Sequence, residues 1–402
     1  MGYLFCHVEL ICYLCKIIRK KMKPRIIGLY LPQYHPIPEN DEWWGKGFTE
    51  WTNVAQARPQ FRGHYQPRIP ADLGFYDLRL PEVREQQAEL AREAGLEGFC
   101  YYHYWFGNGK QLLERPFNEV LSSGKPDFPF CLCWANHDWT NKTWKKGNSL
   151  RKDSMIMQMH YDQEDYVRHF NHVLKAFRDP RYITVDGKPL FAIWEPRAIP
   201  NAHKFIDLWQ KLARENGLPG LHFVGYTQNA SGRSTKDGHV SLWDANQAAE
   251  RYQEVLDLGF DAVMSTGLGR AQAIVNGKWK KALFFAANHT FLPMSFRTDY
   301  AKVMRHYYVK EDTWENVYPT LMPQWDRTPR AGVKTDPLIN STPEKFQATV
   351  EGAIKLIQKK QPEHQILFLK AWNEWGEGNY VEPDQKFGHG YIEAIRNAID
   401  KY

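Results

Sequence analysis

The segment Phe368-Leu-Lys-Ala-Trp-Asn-Glu-Trp-Gly-Glu-Gly378 joins a short apolar strand, predicted over 365–370, to a turn with two carboxylates. Tryptophan faces stack on sugar rings, amides bind hydroxyl groups, and paired carboxylates perform acid/base chemistry at a glycosidic carbon. The alternative is that the tryptophans are core residues and the glutamates form surface ion pairs. The candidates in this turn are Glu374 and Glu377 as catalytic residues, with Trp372, Asn373 and Trp375 as substrate-binding residues.

Strand patterns and helix patterns alternate along the rest of the 402 residues. Strands are predicted at 25–31, 98–104, 128–134, 190–194, 221–226, 260–264, 318–324 and 365–370. Helices are predicted at 83–94, 112–121, 164–177, 201–215, 342–359 and 391–399, with 270–310 helical or irregular. Eight strands separated mostly by helices predict an α/β fold, a (β/α)₈ TIM barrel. We expect a single catalytic domain over residues 22–402 with long βα loops.

In such a barrel, functional residues lie at the carboxyl ends of the strands and in the loops that follow them. Polar and aromatic residues are concentrated at these positions in the chain. The substrate-binding candidates there are Tyr34 and His35 after the first strand, Tyr102, His103 and Trp105 at the second, Trp134, Asn136 and His137 at the third, Glu195 after the fourth and Trp325 after the seventh.

The two glutamates of the last turn are three residues apart, so both approach a substrate from the same side of the barrel mouth. A double displacement needs carboxylates on both sides of the sugar. Either a third carboxylate, Glu50 or Glu195, is therefore the nucleophile, or the substrate supplies one itself. We expect the side chains of Glu374 and Glu377 to lie in the barrel mouth among Tyr102, His103, Trp134 and Asn136.

Composition narrows the classes of partner and cofactor. The net charge is +6, and the only dense basic run is at residues 16–23, so we predict no nucleic-acid binding. His35, His103 and His137 follow three different strands without HxH or HExxH spacing, which favours hydrogen bonds to hydroxyls over a metal site. Without a glycine-rich phosphate-binding motif, the expectation is no metal and no cofactor.

The cysteines and the first 21 residues allow a prediction of the cellular compartment of the protein. The six cysteines suit a reducing compartment, so we expect a cytoplasmic protein, with Cys131 and Cys133 as buried thiols. Residues 1–21 are too short and too polar for a spanning helix, and their basic residues follow the apolar part, unlike a secretory signal. We interpret them as an N-terminal extension before Met22. The alternative is a membrane-surface anchor, which would give a peripheral membrane contact.

The chain resembles the WbsX-like family, whose members are named as glycosyltransferases of lipopolysaccharide and O-antigen clusters, and is similar to glycoside hydrolase family 99. The resemblance covers residues 24–400. Its most specific motifs are Leu31-Pro-Gln-Tyr-His35, Gly47-Phe-Thr-Glu-Trp-Thr-Asn53, Pro129-Phe-Cys-Leu-Cys-Trp-Ala-Asn136 and Ala371-Trp-Asn-Glu-Trp-Gly-Glu-Gly378.

The similarity to family 99 implies a (β/α)₈ barrel that cleaves internal α-mannosides with retention of configuration. It implies that Glu374 deprotonates the substrate 2-hydroxyl, which attacks C1 to form an anhydro sugar, and that Glu377 is the general acid/base. Its pKa should then be raised toward neutrality. Gly376 departs from this pattern, since family 99 members usually have His there, and this leaves the mannoside substrate open.

Three functions are compatible with these residues. The first is a hydrolase or transglycosidase acting on an oligo- or polysaccharide of the bacterial surface. The second is a sugar-nucleotide-dependent glycosyltransferase of lipopolysaccharide O-antigen biosynthesis. The third is a glycan-binding barrel without catalysis, against which the two intact glutamates argue.

Overall fold

The computed structural model describes residues 23–140, 155–228, 247–289, 297–333 and 335–402. Eight parallel strands pair in sequence order, and β1 closes the ring by pairing with both β2 and β8. The strands are β1 Arg25–Tyr30, β2 Gly98–Gly107, β3 Phe130–Trp134, β4 Lys188–Ile193, β5 His222–Gln228, β6 Ala262–Thr266, β7 Val317–Leu321 and β8 Ile366–Leu369. The predicted (β/α)₈ barrel is confirmed, with every predicted strand present.

Helices cover the outside of the barrel and part of its loops. They are α1 Pro38–Trp44, α2 Glu50–Gln56, α3 Pro81–Ala94, α4 Arg115–Ser123, α5 Gln163–Phe177, α6 Ala202–Glu215, α7 Ala248–Leu256, α8 Leu268–His289, α9 Tyr300–Met304, α10 Thr328–Ala331, α11 Pro343–Ile357 and α12 Gly390–Asp400. Pro81 begins α3, and Gly95, at φ 84°, ends it in the left-handed conformation that favours glycine.

The sequence patterns missed the shortest elements. Helices α1 and α2 lie in the first βα loop, where no helix was predicted, and α7 and α10 had no predicted counterpart either. Helices of seven to nine residues have too few turns for a clear hydrophobic period. Asp186 and Gly187 both have positive φ and form the turn of a hairpin between the short strand Thr184–Val185 and the start of β4.

The strands are buried on both faces, as expected for a parallel sheet covered by helices. Residues 189–193 of β4 are all buried, and Trp209 of α6 packs against Phe191 with ring centroids 5.0 Å apart. Cys100, Cys131 and Cys133 are free, buried thiols on neighbouring strands, which confirms the expectation for Cys131 and Cys133.

The first βα loop folds over the mouth of the barrel and contacts the turn that follows β8. Trp51 of α2 donates a hydrogen bond from Nε1 to the carbonyl of Tyr76 at 2.8 Å. Its ring lies 5.4 Å from that of Trp375. The two loops therefore pack on each other, although one comes early in the chain and the other late.

The predicted extension at residues 1–21 lies outside the described residues. Within the described ranges, no helix combines the length and the apolar character that crossing a bilayer requires.

We expect Trp209→Ala to lower the free energy of unfolding by about 3–5 kcal/mol, because Trp209 is fully buried between α6 and the barrel. Trp279→Ala is the matched control. Trp279 is 89% exposed, so its loss should change stability by less than about 0.5 kcal/mol. Denaturant unfolding followed by circular dichroism measures both. Equal effects for the two variants would contradict this packing.

Candidate active site

A pocket opens at the carboxyl ends of the strands and has a cavity volume of about 200 Å³. Both candidate catalytic residues, Glu374 and Glu377, line it. The other lining residues are Leu31, Gln33, Trp44, Tyr102, Tyr104, Ala135, His137, Trp139, Trp194, Arg327, Arg330 and Lys370. The pocket therefore combines five aromatic side chains with two carboxylates and three cations.

A buried guanidinium group organises the carboxylates. Nε of Arg330 lies 2.9 Å from Oε1 of Glu50, and Nη1 lies 2.8 Å from Oε1 of Glu377. Nη2 lies 3.3 Å from Oε1 of Glu374. A second guanidinium, that of Arg327, approaches Glu377 at 3.1 Å. Arg330 thus fixes three carboxylates that come from two distant parts of the chain.

The two glutamates of the turn titrate as a coupled pair. Burial raises the pKa of Glu374 to about 7, and the negative charge of Glu377 adds to this shift. Burial also acts to raise the pKa of Glu377, but the nearby charges of Arg330 and Arg327 outweigh it and hold this pKa at about 2. At mildly acidic pH the pair therefore holds one proton, and this proton lies on Glu374.

The prediction that the pKa of Glu377 is raised was wrong for the unliganded protein. The neighbours expected around Glu377 were Tyr102, His103, Trp134 and Asn136, and they included no cation. Arg330 and Arg327 follow β7, 47 and 50 positions before Glu377 in the chain, and they stabilise its ionised form. The sequence does contain a sign of this effect, because Arg327 and Arg330 lie three residues apart just after a barrel strand, where site residues are expected.

Glu50 occupies the space next to the turn where a side chain at position 376 would otherwise lie. A Cβ atom on Gly376 would stand 1.5 Å from Oε1 of Glu50. Glu50 is fully buried, and burial raises its pKa, while Arg330 opposes the shift. Glycine at 376 and glutamate at 50 are therefore mutually dependent, and Glu50 is a support of the site behind the pocket wall.

The three substrate-binding candidates of the last turn, Trp372, Asn373 and Trp375, lie behind the pocket wall and not in its lining. Trp372 and Trp375 are fully buried, so they are core residues, as the alternative interpretation held. Asn373 accepts a hydrogen bond at 2.8 Å from the backbone N–H of Leu31 and donates one at 3.1 Å to its carbonyl. The Tyr34 hydroxyl donates to the carbonyl of Asn373, so this pair joins the loops after β1 and β8.

The alternation of β2 separates the candidates on that strand. Tyr102 and Tyr104 point into the pocket, whereas His103 and Trp105 point outward to α5. His103 lies 2.9 Å from His169 between the ring nitrogens, and Trp105 donates to Asp165 at 2.8 Å. All three candidates at this strand were expected in the substrate site. Because side chains alternate along a strand, only Tyr102 lies there.

Of the three candidates at the end of β3 and in the loop after it, only His137 lines the pocket. Trp134 points outward and donates from Nε1 to the carbonyl of Trp105 at 2.8 Å. Asn136 donates to the carbonyl of Glu195 at 2.9 Å and accepts from its N–H at 2.8 Å, so it joins the loops after β3 and β4. His137 lines the pocket, and burial lowers its pKa, which favours the neutral imidazole there.

The remaining candidates lie outside the pocket lining. They are His35, which is buried, Glu195, which is exposed, and Trp325, which packs against a small apolar cluster around Tyr300 and Met322. His35, His103 and His137 do not converge, and the described residues contain no group of three or more His, Cys, Asp or Glu arranged to hold a metal ion.

A closed (β/α)₈ barrel with a carboxylate pair at its mouth has the architecture of carbohydrate-active barrel proteins. The model of the family Glycosyltransferase WbsX matches residues 26–395. The chain belongs to this family.

Similar proteins agree with this membership. The chain is 34% identical over 400 residues to WxcX, an uncharacterized protein of Xanthomonas campestris pv. campestris strain B100, covering 97% of this chain and 52% of WxcX. The WxcX of another strain is 35% identical over 385 residues, covering 94% and 50%. The chain thus spans about half the length of these curated relatives.

Solved structures support the fold. The GH99 endo-alpha-mannosidase from Bacteroides thetaiotaomicron, in complex with bis-tris-propane, superposes with a TM-score of 0.53 at 15% identity, covering 94% of this chain and 96% of the mannosidase. A glycoside hydrolase-like protein gives 0.57 at 12% identity, covering 94% of each chain. At these identities the similarity establishes the barrel architecture alone.

Gly376→Ala should lower the free energy of unfolding by at least about 2 kcal/mol, because the new methyl group displaces Glu50 from Arg330. Gly352→Ala is the control. Gly352 lies in α11 with open space around it, and alanine there should raise stability by about 0.5–1 kcal/mol or leave it unchanged. Chemical denaturation measures both, and a stable Gly376→Ala protein would refute the proximity of Glu50.

The raised pKa of Glu374 makes stability depend on pH. Below about pH 4.5 both the folded and unfolded states hold this proton, and between that value and about 7 only the folded state does, so its stabilising contribution is lost as pH rises. Glu374→Gln should therefore reduce the fall of unfolding free energy between pH 5 and 7 by about 2 kcal/mol in total, or about 1 kcal/mol per pH unit.

Glu344→Gln is the control for this titration. Glu344 is exposed, and the Thr342 hydroxyl lowers its pKa, so it is ionised throughout this range. The pH dependence of urea unfolding should match that of the wild type in Glu344→Gln. An unchanged slope in Glu374→Gln would show that Glu374 is ionised at pH 5.

Proposed function

We propose that the protein acts on glycosidic bonds of a bacterial surface polysaccharide, with Glu374 and Glu377 as the acid/base pair. The observation that carries this proposal is that one turn presents two carboxylates with separated pKa values in a pocket at the mouth of the barrel. Acid/base catalysis needs one group that donates a proton and one that accepts it, and a pair with separated pKa values supplies both.

The pocket lining suits a sugar ring. Trp44, Trp139 and Trp194 line the pocket. Trp194 stacks on Tyr226 with ring centroids 3.9 Å apart, and Tyr102 stands edge-on to it at 5.5 Å. The Lys370 ammonium lies 4.4 Å from the centre of the Trp194 ring. This cation–π contact keeps the ammonium group at the pocket wall. Amphipathic rings bind the apolar faces of sugars, while Lys370 and other polar groups are available to the hydroxyls.

The arrangement of carboxylates supports a nucleophile that comes from the substrate or from water. Among the described residues that line the pocket, Glu374 and Glu377 are the only carboxylates, and both lie on the same turn. Glu50 is fully buried and ion-paired with Arg330, and Glu195 does not line the pocket. A covalent intermediate on an enzyme carboxylate needs a group on the opposite side of the sugar. The base therefore activates a sugar hydroxyl or a water molecule.

The protonation of the unliganded pair supports a proposal for the two roles. Because Glu374 holds the proton, we propose it as the proton donor to the leaving oxygen and Glu377 as the base. The similarity to family 99 implies the opposite assignment, which requires the proton to move from Glu374 to Glu377 once a substrate displaces Arg330 or Arg327 from Glu377.

The description of the family as a glycosyltransferase favours a second candidate, transfer from a sugar nucleotide. The two candidates differ in what they consume. A hydrolase or transglycosidase releases or transfers sugars from a glycan alone, whereas the transferase is inactive until a nucleoside-diphosphate sugar is added.

We expect Glu374→Gln and Glu377→Gln each to lower kcat/KM by about 10²–10⁴-fold on an oligosaccharide substrate, because each keeps the shape of the side chain and removes its proton chemistry. An activated aryl leaving group needs no protonation, so it should restore the rate of Glu374→Gln and not that of Glu377→Gln. Product release is measured with and without nucleoside-diphosphate sugars.

Glu344→Gln, outside the pocket, is the control and should keep full activity. Rescue of Glu377→Gln instead would establish the roles that the similarity implies. A substrate without the 2-hydroxyl tests the nucleophile, since normal turnover would exclude attack by that hydroxyl and leave water. Strict dependence on a sugar nucleotide would replace the first candidate function with the second.

A further inference from the structure

A second and larger cavity lies on the other side of the turn that carries Glu377. Its volume is about 510 Å³, and it is bordered by the first βα loop, the loop before α11 and the residues that precede α12. Cations dominate its lining, which includes Arg62, Arg68, Arg297, Lys345 and Lys386. We call this cavity, defined by these five side chains, the basic cleft.

One carboxylate, that of Asp326, faces the five cations across the lining. Oδ2 of Asp326 lies 2.8 Å from Nε2 of His64 and accepts from Nε2 of Gln66 at 2.7 Å. Its Oδ1 accepts from the backbone N–H of Thr328 at 3.0 Å. The Arg68 guanidinium lies 3.8 Å from the same Oδ2, so the charges of Arg68 and Asp326 compensate each other. Asp326 is the only carboxylate among the described lining residues, so the charges of the other four cations are left for a ligand or for solvent ions.

Two of the five cations, those of Arg297 and Lys386, lie over aromatic rings. The Arg297 guanidinium lies over the Phe61 ring at 4.5 Å, and the Lys386 ammonium lies over the Tyr65 ring at 4.7 Å. Cation–π contact limits the number of conformations of a long side chain while its charge stays available. Binding an anion then costs less side-chain entropy than at a surface of free lysines.

The residues just before α11 add a hydroxyl group to the same cavity. Ser341 and Thr342 line it just before this helix of 15 residues. The Ser341 hydroxyl is buried without a hydrogen-bond partner. A buried hydroxyl usually has a partner, so one that lies at a cationic cavity indicates a place for an acceptor oxygen from a ligand.

We propose that the basic cleft binds the diphosphate group of a saccharide ligand. A diphosphate presents several anionic oxygens, and arginine and lysine side chains bind such oxygens through short, charge-assisted hydrogen bonds. A single sugar carboxylate would engage only part of a lining with five cations. Two carriers of sugars contain this group, a nucleoside diphosphate and a polyprenyl diphosphate.

The basic cleft and the acid/base pocket share one wall. The backbone N–H of Asp326 donates to the carbonyl of Glu377 at 2.6 Å, and Asp326 lines the cleft while the next residue, Arg327, lines the pocket. The basic cleft is therefore a direct neighbour of the acid/base pocket, on the other side of the backbone at Asp326 and Glu377. The binding proposal does not rest on the roles of Glu374 and Glu377, because binding is measured without turnover.

The test is calorimetric titration of the whole protein with inorganic pyrophosphate, uridine diphosphate and farnesyl diphosphate, with sulfate as the simple-anion reference. We expect at least one diphosphate to bind at least about tenfold more tightly than sulfate, with an affinity that falls as salt rises. The double substitution Arg297→Gln/Lys386→Gln should weaken that binding by about tenfold or more.

Lys310→Gln/Lys359→Gln is the matched control, since it removes the same charge from exposed positions outside the cleft. If the first double variant unfolds, Lys345→Gln tests the same wall by a single substitution. Tighter binding of uridine diphosphate than of pyrophosphate would identify a nucleotide carrier, and tighter binding of farnesyl diphosphate a lipid carrier. Equal binding of all three supports a site for the diphosphate alone.

The proposal is overturned if no diphosphate binds more tightly than sulfate. It is also overturned if the control variant weakens diphosphate binding as much as Arg297→Gln/Lys386→Gln does, because net charge alone would then account for the affinity.

Discussion

The ion pairs of Arg330 are the interactions on which the rest of the site depends. A guanidinium group with a side chain only 7% exposed is stable in the folded protein because three carboxylates, those of Glu50, Glu374 and Glu377, surround it. Removing one partner of such a buried pair is strongly destabilising, since it leaves a charge without compensation. The position of each carboxylate is therefore tied to Arg330, and through it to the other two.

This constraint has a steric counterpart in the turn after β8. Glu50 reaches Arg330 only because position 376 is a glycine, since its carboxylate fills the space where a side chain would begin. The α2 helix that carries Glu50 also packs Trp51 against Trp375. The early loop and the last turn thus form one unit, and the barrel closure between β1 and β8 brings them together.

The same constraint sets the charge state that a substrate meets. Arg330 and Arg327 hold Glu377 ionised, and the resulting negative charge, together with burial, keeps the proton on Glu374. Neither carboxylate would acquire its pKa from the turn alone. The asymmetry between them comes from which one lies closer to the guanidinium groups, 2.8 Å for Glu377 against 3.3 Å for Glu374.

The sequence by itself determined the eight strands, their closure into a barrel and the turn that carries the carboxylate pair, because strand patterns and turn residues are local signals. Only the tertiary structure decided which side chains line the pocket beside the two glutamates. Trp372 and Trp375 are core residues because other parts of the chain cover the side of the turn on which they lie. Arg330 lies 280 positions from Glu50, and such a contact leaves no local pattern, because the barrel closure creates it.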